Sequence, residues 1–244
     1  MTAEPLTRWT LRALDGPAPQ EVVGRAVPAT VPGTVHTDLL AAGLIPDPYL
    51  DENEAGLQWV GRTSWRYATT LATAAPEDGE HVELVFDGLD TVAEVRFGDH
   101  VLGAVQNQHR TYRIDVTDLV QAGETELVVD FAAQLTATEQ ASVDQQPRVH
   151  TNAHPFNAIR KMACNYGWDW GPDLVTAGIW REARVERWRT ARLAAVRTLV
   201  TVVDGVGRVE VHADVVRDTV ATLTIRADCG DVASRPRWSA APRP

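Results

Sequence analysis

Apolar residues between positions 64 and 133 fall on alternate residues or in short unbroken runs. "SWRYATTLA" (64–72), "HVELVFDGL" (81–89), "TVAEVRFGD" (91–99), "YRIDVTDLV" (112–120) and "ETELVVDFAA" (124–133) are separated by segments carrying Gly, Asp and Pro. A period of two turns one face of an extended segment inward, so each run predicts a strand. "FGDHVLG" (97–103) predicts a hairpin closing at Gly98-Asp99. The pattern returns in "IWREARVERW" (179–188), "AVRTLVTVV" (195–203), "GRVEVHADVV" (207–216) and "ATLTIRAD" (221–228), with "VDGVG" (203–207) as a further turn. Helical spacing is scarce. Its best instance is "TVHTDLLAAGL" (34–44), where Thr34 can cap the start, Gly43 can end the helix and Pro46 forbids extension. Short strands with frequent turns predict an all-β fold, a sandwich or jelly roll. No repeat of propeller length accompanies the Trp-Asp pair described next, so that pair is not a propeller signature.

Residues 134–178 break the rhythm with few β-branched runs. An irregular excursion of this length inside a strand-rich domain is expected to build a site. Within it lies "NYGWDWGP" (165–172), an aspartate between two tryptophans, framed by Gly167 and Gly171-Pro172. If the run is extended, Trp168 and Trp170 share a face and Asp169 takes the other. Two readings are open from the residues alone. In the commoner one the indoles fill a core and Asp169 pairs with a backbone N–H or with Arg160. In the other, the run is a sugar-binding wall: aromatic faces pack against sugar C–H groups while a carboxylate accepts hydrogen bonds from hydroxyls.

Composition narrows the setting. Hydrophobic residues at 44% and charged residues at 23% are ordinary for a globular protein. The net charge of -10 argues against nucleic acid or an anionic membrane as partner. No apolar run approaches a transmembrane span. Charges fall within the first dozen residues, no secretory apolar segment is visible, and there is no Asn-x-Ser/Thr sequon. Cys164 and Cys229 lie too far apart to read as a disulfide framework, and a cytoplasmic location is expected. Lys161 is the single lysine in an arginine-rich chain, which is read first as genomic base composition.

The composition shifts after Trp188, which places a domain boundary near 190. Residues 1–189 are expected to form a jelly-roll domain. Residues 190–244 would form an incomplete sandwich ending in the irregular "DVASRPRWSAAPRP" (231–244). Three open-edged strands make a poor independent domain. The expectation is a chain interrupted by truncation or by a shifted reading frame.

Other candidate chemistry is thin. The acidic "DENE" (51–54) reads as a solvated loop, not a catalytic pair. His150 and His154 would need a helix to face one metal, and Pro155 opposes that; no metal and no cofactor is expected. There is no Gly-x-Ser-x-Gly elbow, His-Glu-x-x-His or phosphate loop. His36 is expected to pack against or cap the short helix. Trp9, Trp59, Trp65, Trp180 and Trp188 sit on strand patterns, with core or inter-domain packing roles; Trp188 could anchor a domain junction. Arg160 and Lys161 could hold the excursion by ion pairing or face a further domain.

"VPGTVHTDLLAAGLIPDPYLDENEAGLQWVGRTSWRY" (31–67) and "IRKMACNYGWDWGPDLVTAGIWREARVERW" (159–188) carry a resemblance. With the Val-Pro-Gly-Thr-Val-His start, the Ile-Pro-Asp-Pro-Tyr turn, a Gln-Trp-Val-Gly strand and the Trp-Asp-Trp-Gly-Pro run, the chain resembles the N-terminal domain of β-mannosidases of glycoside hydrolase family 2. The likeness covers residues 1–188 well and 190–228 by position only. It implies a galactose-binding-like jelly roll, then the start of an immunoglobulin-like sandwich, then a (β/α)8 barrel with two catalytic glutamates. That barrel is absent here, so no catalytic residue is assigned and this chain alone is expected to be inactive. The resemblance also implies that Trp168, Asp169 and Trp170 bind the substrate, a mannose-containing oligosaccharide, with the barrel of the same polypeptide as partner. Two rival expectations remain: a stand-alone carbohydrate-binding module, or a structural domain of a β-galactosidase- or β-glucuronidase-type enzyme. The Trp-Asp-Trp-Gly-Pro run fits the mannosidase branch.

Overall fold

A computed structural model describes residues 1–146, 148–220, 222–230 and 232–233. The chain divides into two compact units, Thr2–Arg187 and the segment from Trp188 onward together with Met1.

In chain order the first unit holds β1 (Thr2–Pro5), β2 (Trp9–Asp15), β3 (Val27–Ala29), α1 (Val35–Ala41), β4 (Ser64–Thr73), β5 (His81–Phe86) and β6 (Val92–Phe97). It continues with β7 (His100–Gln106), β8 (Tyr112–Asp115), β9 (Gly123–Phe131), α2 (Gln134–Asp144) and β10 (Ala183–Trp188), whose last residue falls in the second unit. Two sheets result, one ordered β3-β2-β4-β9-β6-β7 and the other β1-β10-β5-β8.

Period-two patterning explains how the sheets face each other. Along β4 the buried positions alternate, so Trp65, Tyr67 and Leu71 point inward; β6 does the same with Ala93, Val95 and Phe97. These side chains share one core with Val82, Leu84 and Phe86 of β5 and Ala183 and Val185 of β10. Burying each large side chain contributes about 1.5–3 kcal/mol, which makes this core the main support of the fold. β5 is buried on both faces, and its Glu83 is matched by Arg113 at 2.9 Å, so the charge is not stranded. The β6–β7 hairpin closes at Gly98-Asp99 as the sequence predicts, with Phe97 opposite His100.

The predicted helix forms as α1. Thr34 accepts the Thr37 N–H, and the Thr37 hydroxyl accepts the Thr34 N–H in return, a reciprocal cap. His36 is buried on this helix.

Several expectations are corrected. The segment read as irregular from residue 134 opens with the helix α2. Its buried positions, Gln134, Leu135, Thr138 and Ser142, are mostly polar, so no apolar stripe betrays it. The Gln-Trp-Val-Gly segment is no strand: Trp59 lies in a turn and Val60–Arg62 form a 3-10 helix, although the Trp59 ring still packs 6.1 Å from that of Trp65. Trp180 lies outside any strand, and its indole N–H donates to the Gln108 carbonyl.

The second unit is built on a long hairpin of β11 (Ala191–Val203) and β12 (Val206–Arg217). It turns at Asp204-Gly205, both at positive φ as a two-residue hairpin turn requires. The predicted strand "ATLTIRAD" is corrected: residues 222–227 are not in a strand, and only Asp228 at its end is. A short pair joins Asp228–Cys229 to Val232–Ala233. Of the irregular tail expected from 231, residue 231 and residues 234–244 lie outside the described residues.

Candidate functional site

The excursion leaves β9 and returns at β10. Its first fastening is Gln134, whose side-chain amide accepts the Val92 N–H and donates to the Val92 and Ala132 carbonyls. One turn further along α2, Thr138 meets the Tyr166 hydroxyl at 2.6 Å. Leu135, Tyr166 and Val175, with Phe156 against them, form a small second core beneath the loop. Burial holds the Tyr166 phenol well above its ordinary pKa, so it stays a neutral hydrogen-bonding group.

After a 3-10 turn at Ala163–Tyr166, Gly167 takes φ +76°. A Cβ there would lie 3.1 Å from that of Asp173, and the left-handed backbone would strain any other residue. Trp168 and Gly171 then exchange hydrogen bonds, N–H to carbonyl in both directions at 3.0 and 3.2 Å, closing a tight turn with Asp169 and Trp170 at its tip. The run is therefore not extended. Trp168 is 46% exposed and Trp170 80% exposed, with ring centroids 5.3 Å apart and planes tilted by 52°. Asp169 is exposed, and its carboxylate has no hydrogen-bond or ion-pair partner among the described residues, Arg160 included. The core-filling reading fails on these facts: two large indoles and a free carboxylate face water together.

Beside the turn lies a cavity of about 450 Å³, lined by Thr151, Asn152, Tyr166, Trp168 and Asp169 among others. That volume is within the range of small-molecule sites. Asn152 donates from its side-chain amide to the Tyr166 and Gly167 carbonyls and so holds the approach to the turn.

The two histidines do not converge on a common point. His150 Nδ1 sits 2.8 Å from the Asn152 carbonyl, and His154 Nε2 sits 3.0 Å from Asp173 Oδ2. Among the described residues no group of three or more His, Cys, Asp and Glu side chains is placed to hold a metal. The acidic "DENE" segment is less solvated than expected, since Glu54 accepts the Asp173 N–H at 2.7 Å. Burial raises the Asp173 carboxyl above its usual range, opposed by His154. Sequence reasoning missed Asn152, Asp173 and Gln58, whose amide donates to the Asp173 carbonyl. Apart from the proximity of Asp173 to the motif, the sequence carries no signal for them, because their partners lie far away along the chain.

At the base of the loop Lys161 is buried against Asp90 at 2.5 Å. Burial pushes its ammonium below the usual value, against the pull of Asp90. Of the two roles open to Lys161, it takes ion pairing.

Two packed sheets with one long excursion, ending in a solvent-facing aromatic turn, define a β-sandwich domain of the galactose-binding-like class. The family described as "Glycosyl hydrolase 2 galactose-binding domain-like" matches residues 9–181, and the chain belongs to that family. It is 37% identical over 228 residues to β-mannosidase B of Aspergillus fumigatus, covering 91% of this chain and 26% of that protein. With β-mannosidase of Rattus norvegicus it shares 36% identity over 177 residues, 68% of this chain and 20% of the relative. The crystal structure of the β-D-mannosidase of Dictyoglomus thermophilum superposes with a TM-score of 0.79 at 29% identity, covering 89% of this chain and 26% of that one. The chain thus spans about a quarter or less of the length of these relatives, over their N-terminal region.

Proposed function

We propose that this chain is the substrate-contacting N-terminal region of a β-mannosidase, which removes terminal non-reducing β-D-mannose from oligosaccharides. The observation that carries the reading is the solvent-facing Trp168–Asp169–Trp170 turn with its unpartnered carboxylate. In this reading the indoles pack against the C–H face of the mannose ring, and Asp169 accepts hydrogen bonds from hydroxyls remote from the scissile bond. A hydrogen bond to a charged acceptor contributes about 1.5–3 kcal/mol. Spent on orienting the ring, that binding energy lowers the barrier as well as raising affinity. The chemistry itself, protonation of the leaving oxygen and formation of a glycosyl ester, needs two carboxyl groups about 5–5.5 Å apart. A (β/α)8 barrel of the same polypeptide supplies them, so this chain alone is inactive. The β11–β12 hairpin is, on this reading, the start of an immunoglobulin-like sandwich between the two.

The test is steady-state kinetics on the barrel-containing enzyme with aryl glycosides. Aryl β-D-mannoside is expected to be turned over in preference to the β-galactoside and β-glucuronide. Asp169→Ala is expected to lower kcat/KM by about 10- to 100-fold, the worth of one charged hydrogen bond. An unchanged kcat/KM would show that the turn contacts no sugar and leave a bracing role only.

The cavity of about 450 Å³ beside Asp169 favours one second reading, a self-sufficient carbohydrate-binding module. Calorimetry of this chain with manno-oligosaccharides separates the two. Saturable binding abolished by Asp169→Ala would establish the module, whereas a subsite completed by a barrel gives no measurable heat.

A further inference from the structure

The only lysine of the chain lies where a charge is hardest to keep. Lys161 is 0% exposed at its side chain and Asp90 1%. The Lys161 ammonium has three acceptors for its three protons: Asp90 Oδ1 at 2.5 Å, the Thr176 carbonyl at 2.8 Å and Thr176 Oγ1 at 3.1 Å. Thr176 in turn donates its hydroxyl to Asp90 Oδ2 at 2.6 Å, and Thr91 donates to Asp90 Oδ1 at 2.5 Å. The backbone of Asp90 is pinned by a reciprocal pair of hydrogen bonds with Gly178. Beside Lys161, the Met162 N–H donates to the buried Gln108 side chain, and the Gln108 N–H donates to the Arg160 carbonyl.

Lys161 stands on the limb entering the Trp-Asp-Trp turn and Thr176 on the limb leaving it, with Asp169 midway between them. The two limbs are therefore tied to each other and to Asp90, which lies between β5 and β6 of the sandwich. A fully desolvated ion pair is a weak device for stability, because two apolar side chains of similar volume usually do as well or better. What it adds is direction: three hydrogen bonds with fixed donors and acceptors admit one register of the limbs, whereas an apolar contact tolerates sliding.

We propose that the Lys161–Asp90–Thr176 cluster positions the site, setting the register of the two limbs so that Asp169 and the indoles are presented at the tip. The role in catalysis rests on the sugar-contact reading above; the control of loop geometry does not. Lys161, Asp90 and Thr176 are positioning residues, since none reaches the turn itself.

The test uses the 244-residue chain and amide hydrogen exchange, which needs no sugar. Lys161→Met, Asp90→Leu and the double variant are compared with wild type for thermal stability and for protection of the Trp168 and Gly171 amides that close the turn. Each single variant strands a buried charge and is expected to lose both stability and protection. The double variant is expected to regain the melting temperature, yet its Trp168 and Gly171 amides should exchange at least about tenfold faster than in wild type, while those of β4 and β9 are unchanged. A double variant that recovers stability with the turn still protected would overturn the proposal and leave a merely structural pair.

Thr176→Val provides a milder variant should the charge variants not fold. It keeps the ion pair and removes the hydroxyl that bridges the limbs, so selective deprotection of the turn is expected, and unchanged exchange there would equally refute the proposal. In the barrel-containing enzyme the double variant should raise KM or lower kcat for the mannoside at restored stability. If exchange changes as expected but Asp169→Ala leaves kcat/KM unaltered, the sugar reading fails and the positioning of the loop stands.

Discussion

Trp170 leaves 80% of its surface in water while Trp65, the same residue type, leaves none. That contrast sorts the aromatic residues by role. Trp65→Ala is expected to lose about 3–5 kcal/mol of unfolding free energy, as core aromatic truncations do, measured by urea denaturation. Trp170→Ala is expected to stay within about 0.5 kcal/mol of wild type, because it removes no buried contact. A large loss at Trp170 would mean that the indole packs after all.

His36 makes a pH-dependent contribution of its own. Burial foremost, then the Lys161 charge, lowers its pKa from 6.5 to about 4, with Asp90 pulling the other way. Above pH 6.5 the ring is neutral both folded and unfolded. As pH falls from 6.5 to about 4 the unfolded chain gains a proton that the folded chain refuses, so stability drops, by about 3 kcal/mol in all at 1.36 kcal/mol per pKa unit. Below about pH 4 both states are protonated and this loss levels off. His36→Gln is expected to show a shallower decline in urea midpoint between pH 6.5 and 4 than wild type. Equal slopes would place the acid sensitivity elsewhere.

Elements differ in how openly the sequence declares them. β4 and β6 are legible because a strand with one buried face must alternate, and their runs do so almost residue for residue, while β9 is legible through the short buried run Leu127-Val128-Val129. α1 is legible through Thr34 and Gly43, whose capping chemistry is local. α2 is not, since its inward face is made of Gln134, Thr138 and Ser142, and these are acceptable inside only because partners from elsewhere bond to Gln134 and Thr138. "ATLTIRAD" errs the other way: its alternation suits a strand, yet residues 222–227 are not in one, since local alternation does not by itself specify ladder pairing. The turn bearing Asp169 depends on Gly167 at φ +76°. Gly167→Ala is expected to cost about 1–2 kcal/mol from the left-handed backbone alone. The approach to Asp173 Cβ adds to that, and faster exchange at the Trp168 and Gly171 amides is the measurement. Unaltered exchange would show that the turn does not need the glycine.

At the scale of the whole molecule the two units contrast. The first has a continuous core between two sheets. On the hairpin of the second, Val196, Leu199, Val200, Val202, Val203, Val206, Val209 and Val211 are all exposed. Exposed apolar residues gathered on one hairpin favour association. This chain by itself is therefore expected to self-associate with rising concentration in sedimentation velocity. Val200→Lys combined with Val209→Glu, which face each other across the two strands, is expected to weaken that association. A concentration-independent monomer in wild type would count against it.

By itself the sequence determined the strand-rich class, most strand positions, the two-residue turns and the capped helix, because each follows from a period or a cap confined to neighbouring residues. It also singled out Trp168, Asp169 and Trp170 as an unusual run, but it could not say whether they were buried. Only the tertiary structure decided that, by placing a polar-faced helix, Asn152 and the Lys161–Asp90 pair beneath the loop so that the tip stands in solvent. Burial is a property of what arrives from distant parts of the chain, and no spacing among neighbours encodes it.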